Sequence, residues 1–67
     1  MTILYNDQIF ELPNLNMNLA EFAELKNVPH QGAAIAVNDK LIPRDKWKVT
    51  MLNPMDRVTV ITAAYGG

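Results

Sequence analysis

Cysteine and serine are absent from this sequence, histidine occurs once, at His30, and only three glycines interrupt its 67 residues. That inventory excludes disulfides, thiolate metal sites and Ser or Cys nucleophiles. His30 follows a proline and has no second imidazole to work with, so neither the ligand spacing of a zinc centre nor a His-centred acid–base pair is present. No metal and no catalytic residue is therefore expected. Gly32 stands alone in the interior, which excludes a glycine-rich phosphate cradle. An excess of positive charge is missing too. Six Lys and Arg against seven Asp and Glu leave a net charge of −1, without the field that nucleic acid or an anionic membrane requires. No apolar run approaches the roughly 18 residues of a membrane span, and Met1 to Asp7 carries no basic leader. The expectation is a cytoplasmic protein, monomeric when free, that meets neither nucleic acid nor membrane.

What is present is a 49% hydrophobic chain long enough for one small domain, residues 1–67, and too short for two. Residues 2–12 read as a hairpin in which Ile3 and Tyr5 alternate with Thr2 and Leu4. Asn6-Asp7 supplies a turn that tolerates positive φ, and Phe10 and Leu12 resume the pattern. Asn18 as N-cap, Glu21 three residues on, and the pair Met17 and Phe22 spell a capping box with a hydrophobic staple, which predicts a helix over 19–26. Asn27-Val28-Pro29 ends it. Ala33 to Val37 is a strand with Ile35 and Val37 on one face and Ala34 and Ala36 on the other. Asn38-Asp39 repeats the turn signal before the short step Leu41-Ile42. Pro43 to Trp47 reads as one helical turn that tucks Trp47 under the sheet, Asn53-Pro54 turns the chain, and the β-branched run Arg57 to Thr62 is the last strand. Burying these faces together requires an α+β arrangement: a mixed sheet of four to five strands, first and last strands side by side, one main helix on one face.

Two features remain. Lys40, Arg44, Lys46 and Lys48 form the densest charge cluster, either a solvated edge that blunts strand pairing or a surface for an acidic partner. The tail, about residues 63–67, runs Ala63-Ala64-Tyr65-Gly66-Gly67 with no charged side chain. A Gly-Gly end is a thin thread whose final carboxylate has no β-carbon crowding it.

The Asn6-Asp7 turn, the Ala34-Ile35-Ala36-Val37-Asn38 strand, the Ile42-Pro43-Arg44-Asp45-Lys46-Trp47 step, Asp56 before the last strand and the terminal Gly66-Gly67 occur in one order across nearly the whole chain. Together they resemble the ThiS family, sulfur carriers of thiamin biosynthesis with the ubiquitin-like β-grasp fold. The resemblance implies a carrier that is a co-substrate of other enzymes. An E1-like adenylating enzyme (ThiF-type) would use ATP and magnesium to activate the Gly67 carboxylate, with no cofactor held by the carrier itself. A cysteine desulfurase persulfide would supply sulfur for a Gly67 thiocarboxylate, and thiazole synthase (ThiG-type) would consume it. Tyr65 and Gly66 would thread into the partners' active sites. The sheet face away from the helix, carrying Leu4, Ile9, Ala34, Ala36, Thr59 and Ile61, is expected to be exposed and to dock both enzymes. Two positions depart from the family pattern: Met55-Asp56 stands where Gly-Asp is common, and Tyr65 is bulkier than the usual residue before the glycines. A molybdopterin-synthase-type carrier, a ubiquitin-like protein modifier and a plain interaction module remain as alternatives.

Overall fold

A computed structural model describes residues 1–29 and 31–62. His30 and the tail residues Tyr65, Gly66 and Gly67 lie outside the described residues.

The chain opens with β1 (Thr2–Tyr5) and β2 (Gln8–Glu11), paired antiparallel with Leu4 opposite Ile9. Asn6 and Asp7 hold φ of 48° and 67°, the double positive φ that a two-residue hairpin turn with the right-handed twist demands. Asn38 and Asp39, at 52° and 70°, do the same between β3 (Ala33–Val37) and β4 (Lys40–Ile42). Asx side chains tolerate that region, which is why the same dipeptide marks both hairpins. The asparagines also tie the hairpins to β5 (Arg57–Thr62). Asn6 Oδ1 accepts from the Val60 amide and Asn38 Oδ1 from the Arg57 amide, both at 2.9 Å.

β5 pairs parallel with β1 and antiparallel with β3, giving one five-stranded sheet in the order β2-β1-β5-β3-β4. The expected adjacency of the first and last strands is present. Helix α1 (Leu19–Leu25) starts on the capping box read from sequence: Asn18 Oδ1 accepts from the Glu21 amide at 2.8 Å, and Glu21 Oε1 from the Asn18 amide at 3.0 Å. It ends one residue before the expected Lys26. There Asn27 takes φ 55°, and the amides of Asn27 and Val28 turn back to the carbonyls of Glu24 and Ala23, a Schellman closure without glycine.

One face of the sheet and the apolar flank of α1 enclose the core, in which Ile3, Leu19, Phe22, Ile35 and Val58 are fully buried beside Leu12, Met17, Trp47 and Leu52. Pro43 to Trp47 is the start of a longer 3₁₀ helix, Arg44–Val49, which seats Trp47 in the core with its indole N–H donating to the Ile42 carbonyl at 2.9 Å. A further link was not foreseen. Residues 50–52 run beside 17–19, with the Leu19 amide on the Thr50 carbonyl and the Leu52 amide on the Met17 carbonyl. This clamps the start of α1 to the end of the 3₁₀ helix.

Candidate functional site

The alternation that sends Ile3, Tyr5, Ile35, Val37, Val58 and Val60 inward sends their neighbours to the opposite, helix-free face. Strand register places these in rows. Ile9 stands beside Leu4, Leu4 beside Arg57, Thr59 beside Ala36, and Ile61 beside Ala34. The six expected residues therefore share a face. Their exposure differs. Ile9 (76%) and Ile61 (53%) are open and Thr59 is exposed, but Leu4 and Ala34 are half-buried and Ala36 is only 9% exposed. The expectation that Ala36 is exposed is thus corrected: a lone methyl group in an inner strand lies below the level of Thr59 and the β4 side chain on its other flank.

That flanking residue is Leu41, paired with Ala36 and 65% exposed. It was missed as part of this face, although the signal existed. Counting outward from the Asn38-Asp39 turn pairs Val37 with Lys40 and Ala36 with Leu41, which puts Leu41 with the alanines. The face is then a shallow saddle, with large apolar side chains at Ile9, Leu41 and Ile61 around a floor of Leu4, Ala34 and Ala36. Arg57 at its margin is paired with Asp39. Such a surface offers association chemistry and no proton transfer.

The members of the basic cluster have different surroundings. Lys40 is exposed on the edge strand β4. Arg44 and Lys48 line a groove of about 710 Å³ between α1 and the 3₁₀ helix, where Glu21 and Glu24 stand among the other wall residues. Lys46 is exposed outside that groove. Among the described residues no group of three or more His, Cys, Asp or Glu is placed to hold a metal. No helix among the described residues is long and apolar enough to cross a membrane. The carboxyl with a displaced pKa among the described residues is that of Glu11, which strand parity puts on the same face as Ile9: the Thr2 hydroxyl, with help from the N-terminal ammonium, holds it below the usual glutamate range.

The feature that faces outward chemically is the exit of β5. Its last residue, Thr62, is paired with Ala33, and the Gly-Gly sequence follows within five positions. The ThiS family model matches residues 3–67, from β1 through both terminal glycines. The chain belongs to the ThiS family. A curated relative, the sulfur carrier protein ThiS of Escherichia coli strain K12, is 28% identical over 67 residues, with all of both chains covered. The crystal structure of a thiamine biosynthesis protein (ThiS) from Geobacter metallireducens superposes with a TM-score of 0.86 over the whole of both chains at 17% identity. The architecture is the β-grasp fold of that family.

Within this family frame the Met55-Asp56 departure acquires a geometry. Met55 holds φ 66°, the left-handed region where glycine is the unstrained residue. A glycine here, as in the Gly-Asp pattern this chain departs from, would take the same backbone conformation without strain.

Proposed function

We propose that this protein is a sulfur carrier of thiamin biosynthesis, acting through the terminal carboxylate of Gly67. The observation that carries the proposal is the family match that runs unbroken to Gly67. It is supported by a relative aligned along its entire length and named a sulfur carrier protein.

The chemistry follows from the weakness of a carboxylate as an electrophile. Ionised at neutral pH, it repels nucleophiles and offers only an oxide leaving group. An E1-like adenylating enzyme with ATP and magnesium converts it to an acyl-adenylate and releases pyrophosphate. The terminal sulfur of a cysteine desulfurase persulfide then forms a C–S bond as the C–O bond to AMP breaks. A thiol that cleaves the remaining S–S bond supplies the electron pair that leaves the Gly67 thiocarboxylate. Thiazole synthase draws its sulfur from that group. No step needs a side chain of the carrier, which accords with a sequence devoid of Cys and Ser.

The carrier's own contributions are a surface and a thread. Ile9, Leu41 and Ile61 over the Leu4, Ala34 and Ala36 floor, with Thr59, form the docking face for the two enzymes. Tyr65 and Gly66 enter the narrow active sites. Incubation of the full chain with the adenylating enzyme, ATP, magnesium and the persulfide donor, followed by intact-mass spectrometry and fragment mapping, tests this. Oxygen-to-sulfur exchange at Gly67 is expected. Lysine conjugates would make the protein a modifier, and an unchanged mass would make it an interaction module. Sulfur transfer from the thiocarboxylate to thiazole synthase, rather than to a molybdopterin synthase, assigns the thiamin branch.

A further inference from the structure

Arg44 behaves unlike the other bases of the 40–48 cluster. Its guanidinium carbon lies 4.4 Å from the Trp47 ring centroid, and Nη2 donates to the Pro29 carbonyl at 3.2 Å. Trp47 is anchored in turn, 5% exposed and hydrogen-bonded to Ile42. Through this stack one side chain joins the connection that leads from α1 into β3, the end of β4 and the 3₁₀ helix. On the other side Arg44 shares a small cleft with Ala33 and Ala34, the residues paired with Thr62 and Ile61.

That position matters because, among the described residues, the end of β5 pairs with β3. Pairing with β1 stops at Val58, and from the β1 side Asn6 Oδ1 accepts from the Val60 amide. Beyond Val60, the strand partner among the described residues is the start of β3. Whatever steadies Ala33 and Ala34 therefore steadies the root of the tail.

We propose that Arg44 is a positioning residue for the end of β5: it ties Pro29, ahead of β3, to the 3₁₀ helix and so helps hold Val60–Thr62, from which the tail departs, in register on β3. The proposal rests on the Gly67 chemistry above, since that register matters to a partner only if the tail enters the partner's site. The task suits arginine specifically. A planar guanidinium stacks on an indole while donating in its own plane, whereas a lysine ammonium keeps the charge but loses the stack and the fork. A tail root that wanders must be ordered on binding, which weakens capture without altering chemistry in the bound complex.

The test compares Arg44→Ala and Arg44→Lys with the wild-type chain in two measurements. Adenylation kinetics should show KM for the carrier raised about fivefold in both variants with kcat within about twofold of wild type. Amide hydrogen exchange should accelerate about tenfold at Ala33–Ile35 and Val60–Thr62 in both, with β1 and β2 unchanged. If either quantity keeps its wild-type value in both variants, or if lysine restores it, the proposal is overturned. Restoration by lysine would mean that charge alone, facing an acidic partner, is what the position supplies. Should Arg44→Ala fail to fold, Arg44→Lys decides by itself, because it retains the charge and the stem. Exchange needs no activating enzyme. A wild-type chain that is never adenylated would therefore count against the Gly67 chemistry and leave the steadying role of Arg44 to be judged by exchange.

Discussion

Replacing Met55 with glycine should leave this protein more stable than replacing it with alanine, the reverse of the order the two residues follow in regular structure. Met55 sits at φ 66° in the turn before β5, where its β-carbon crowds the following carbonyl at a cost of about 1–2 kcal/mol. The turn is held regardless. The Met55 amide donates to the Thr2 carbonyl at 2.7 Å and the Asp56 amide to the Asn53 carbonyl at 3.1 Å. The Asp56 carboxylate accepts from the Asn53 amide at 2.8 Å and from Asn38 Nδ2 at 3.0 Å. The side chain is 58% exposed, and glycine and alanine forfeit the burial of the rest almost equally, so the two variants isolate the strain. Glycine adds freedom to the unfolded chain that offsets about 0.4–1 kcal/mol, so its net advantage over alanine is about 0.5–1 kcal/mol. For a domain of this size that separates the two Tm values by about 2–8 °C. Thermal and urea melts of Met55→Gly and Met55→Ala at neutral pH check the argument. Alanine keeps the β-carbon and the strain and should be the less stable of the two. An alanine variant that matches or exceeds the glycine variant would refute the strain account.

Other outcomes follow from the same geometry. Leu41→Lys should leave stability within about 0.5 kcal/mol, as for any exposed site, yet raise KM for adenylation about tenfold if the proposed docking face is the one the enzyme meets, because it places an ammonium there; unchanged kinetics would remove Leu41 from that role. It is a cleaner probe than Ala36→Arg, because Ala36 is too enclosed for a guanidinium to enter without disturbing the strands beside it. Asn18→Ala removes the side-chain half of the capping box and should lower stability by about 1 kcal/mol in urea melts, with Glu21→Gln nearer neutral. Glu11, held below its ordinary pKa by the Thr2 hydroxyl and then the N-terminus, binds a proton more readily unfolded than folded. Its contribution to stability is therefore present at neutral pH and lost as pH falls through the lowered value. An NMR titration of the Glu11 carboxyl, repeated in Thr2→Val, should show the midpoint move upward in the variant.

The parts of this fold legible in the sequence are those fixed by local chemistry. Asn6-Asp7 and Asn38-Asp39 announce positive-φ turns through their own side chains, and Asn18 with Glu21 writes the helix start within four residues. The core faces follow from alternation once those turns set the register. What stayed hidden depends on neighbours distant in sequence. The clamp of 50–52 on 17–19 joins polar and apolar residues with no shared pattern, so nothing local signals it. The enclosure of Ala36 comes from Thr59 and Leu41 standing taller on either side, a property of the assembled sheet. The strain at Met55 is invisible because methionine carries no preference for the conformation it adopts there. At the candidate site, the docking rows could be read from strand parity, whereas Arg44 looked like one charge among four until Trp47 and Pro29 were seen around it.

The central claim, that the reacting group is the Gly67 carboxylate, is tested most directly by intact-mass spectrometry of the full chain and of a chain lacking Gly67, each incubated with adenylating enzyme, ATP, magnesium and persulfide donor. The account predicts oxygen-to-sulfur exchange at residue 67 in the full chain and none in the truncation. Exchange that persists without Gly67, or a full chain whose mass never changes, would contradict it.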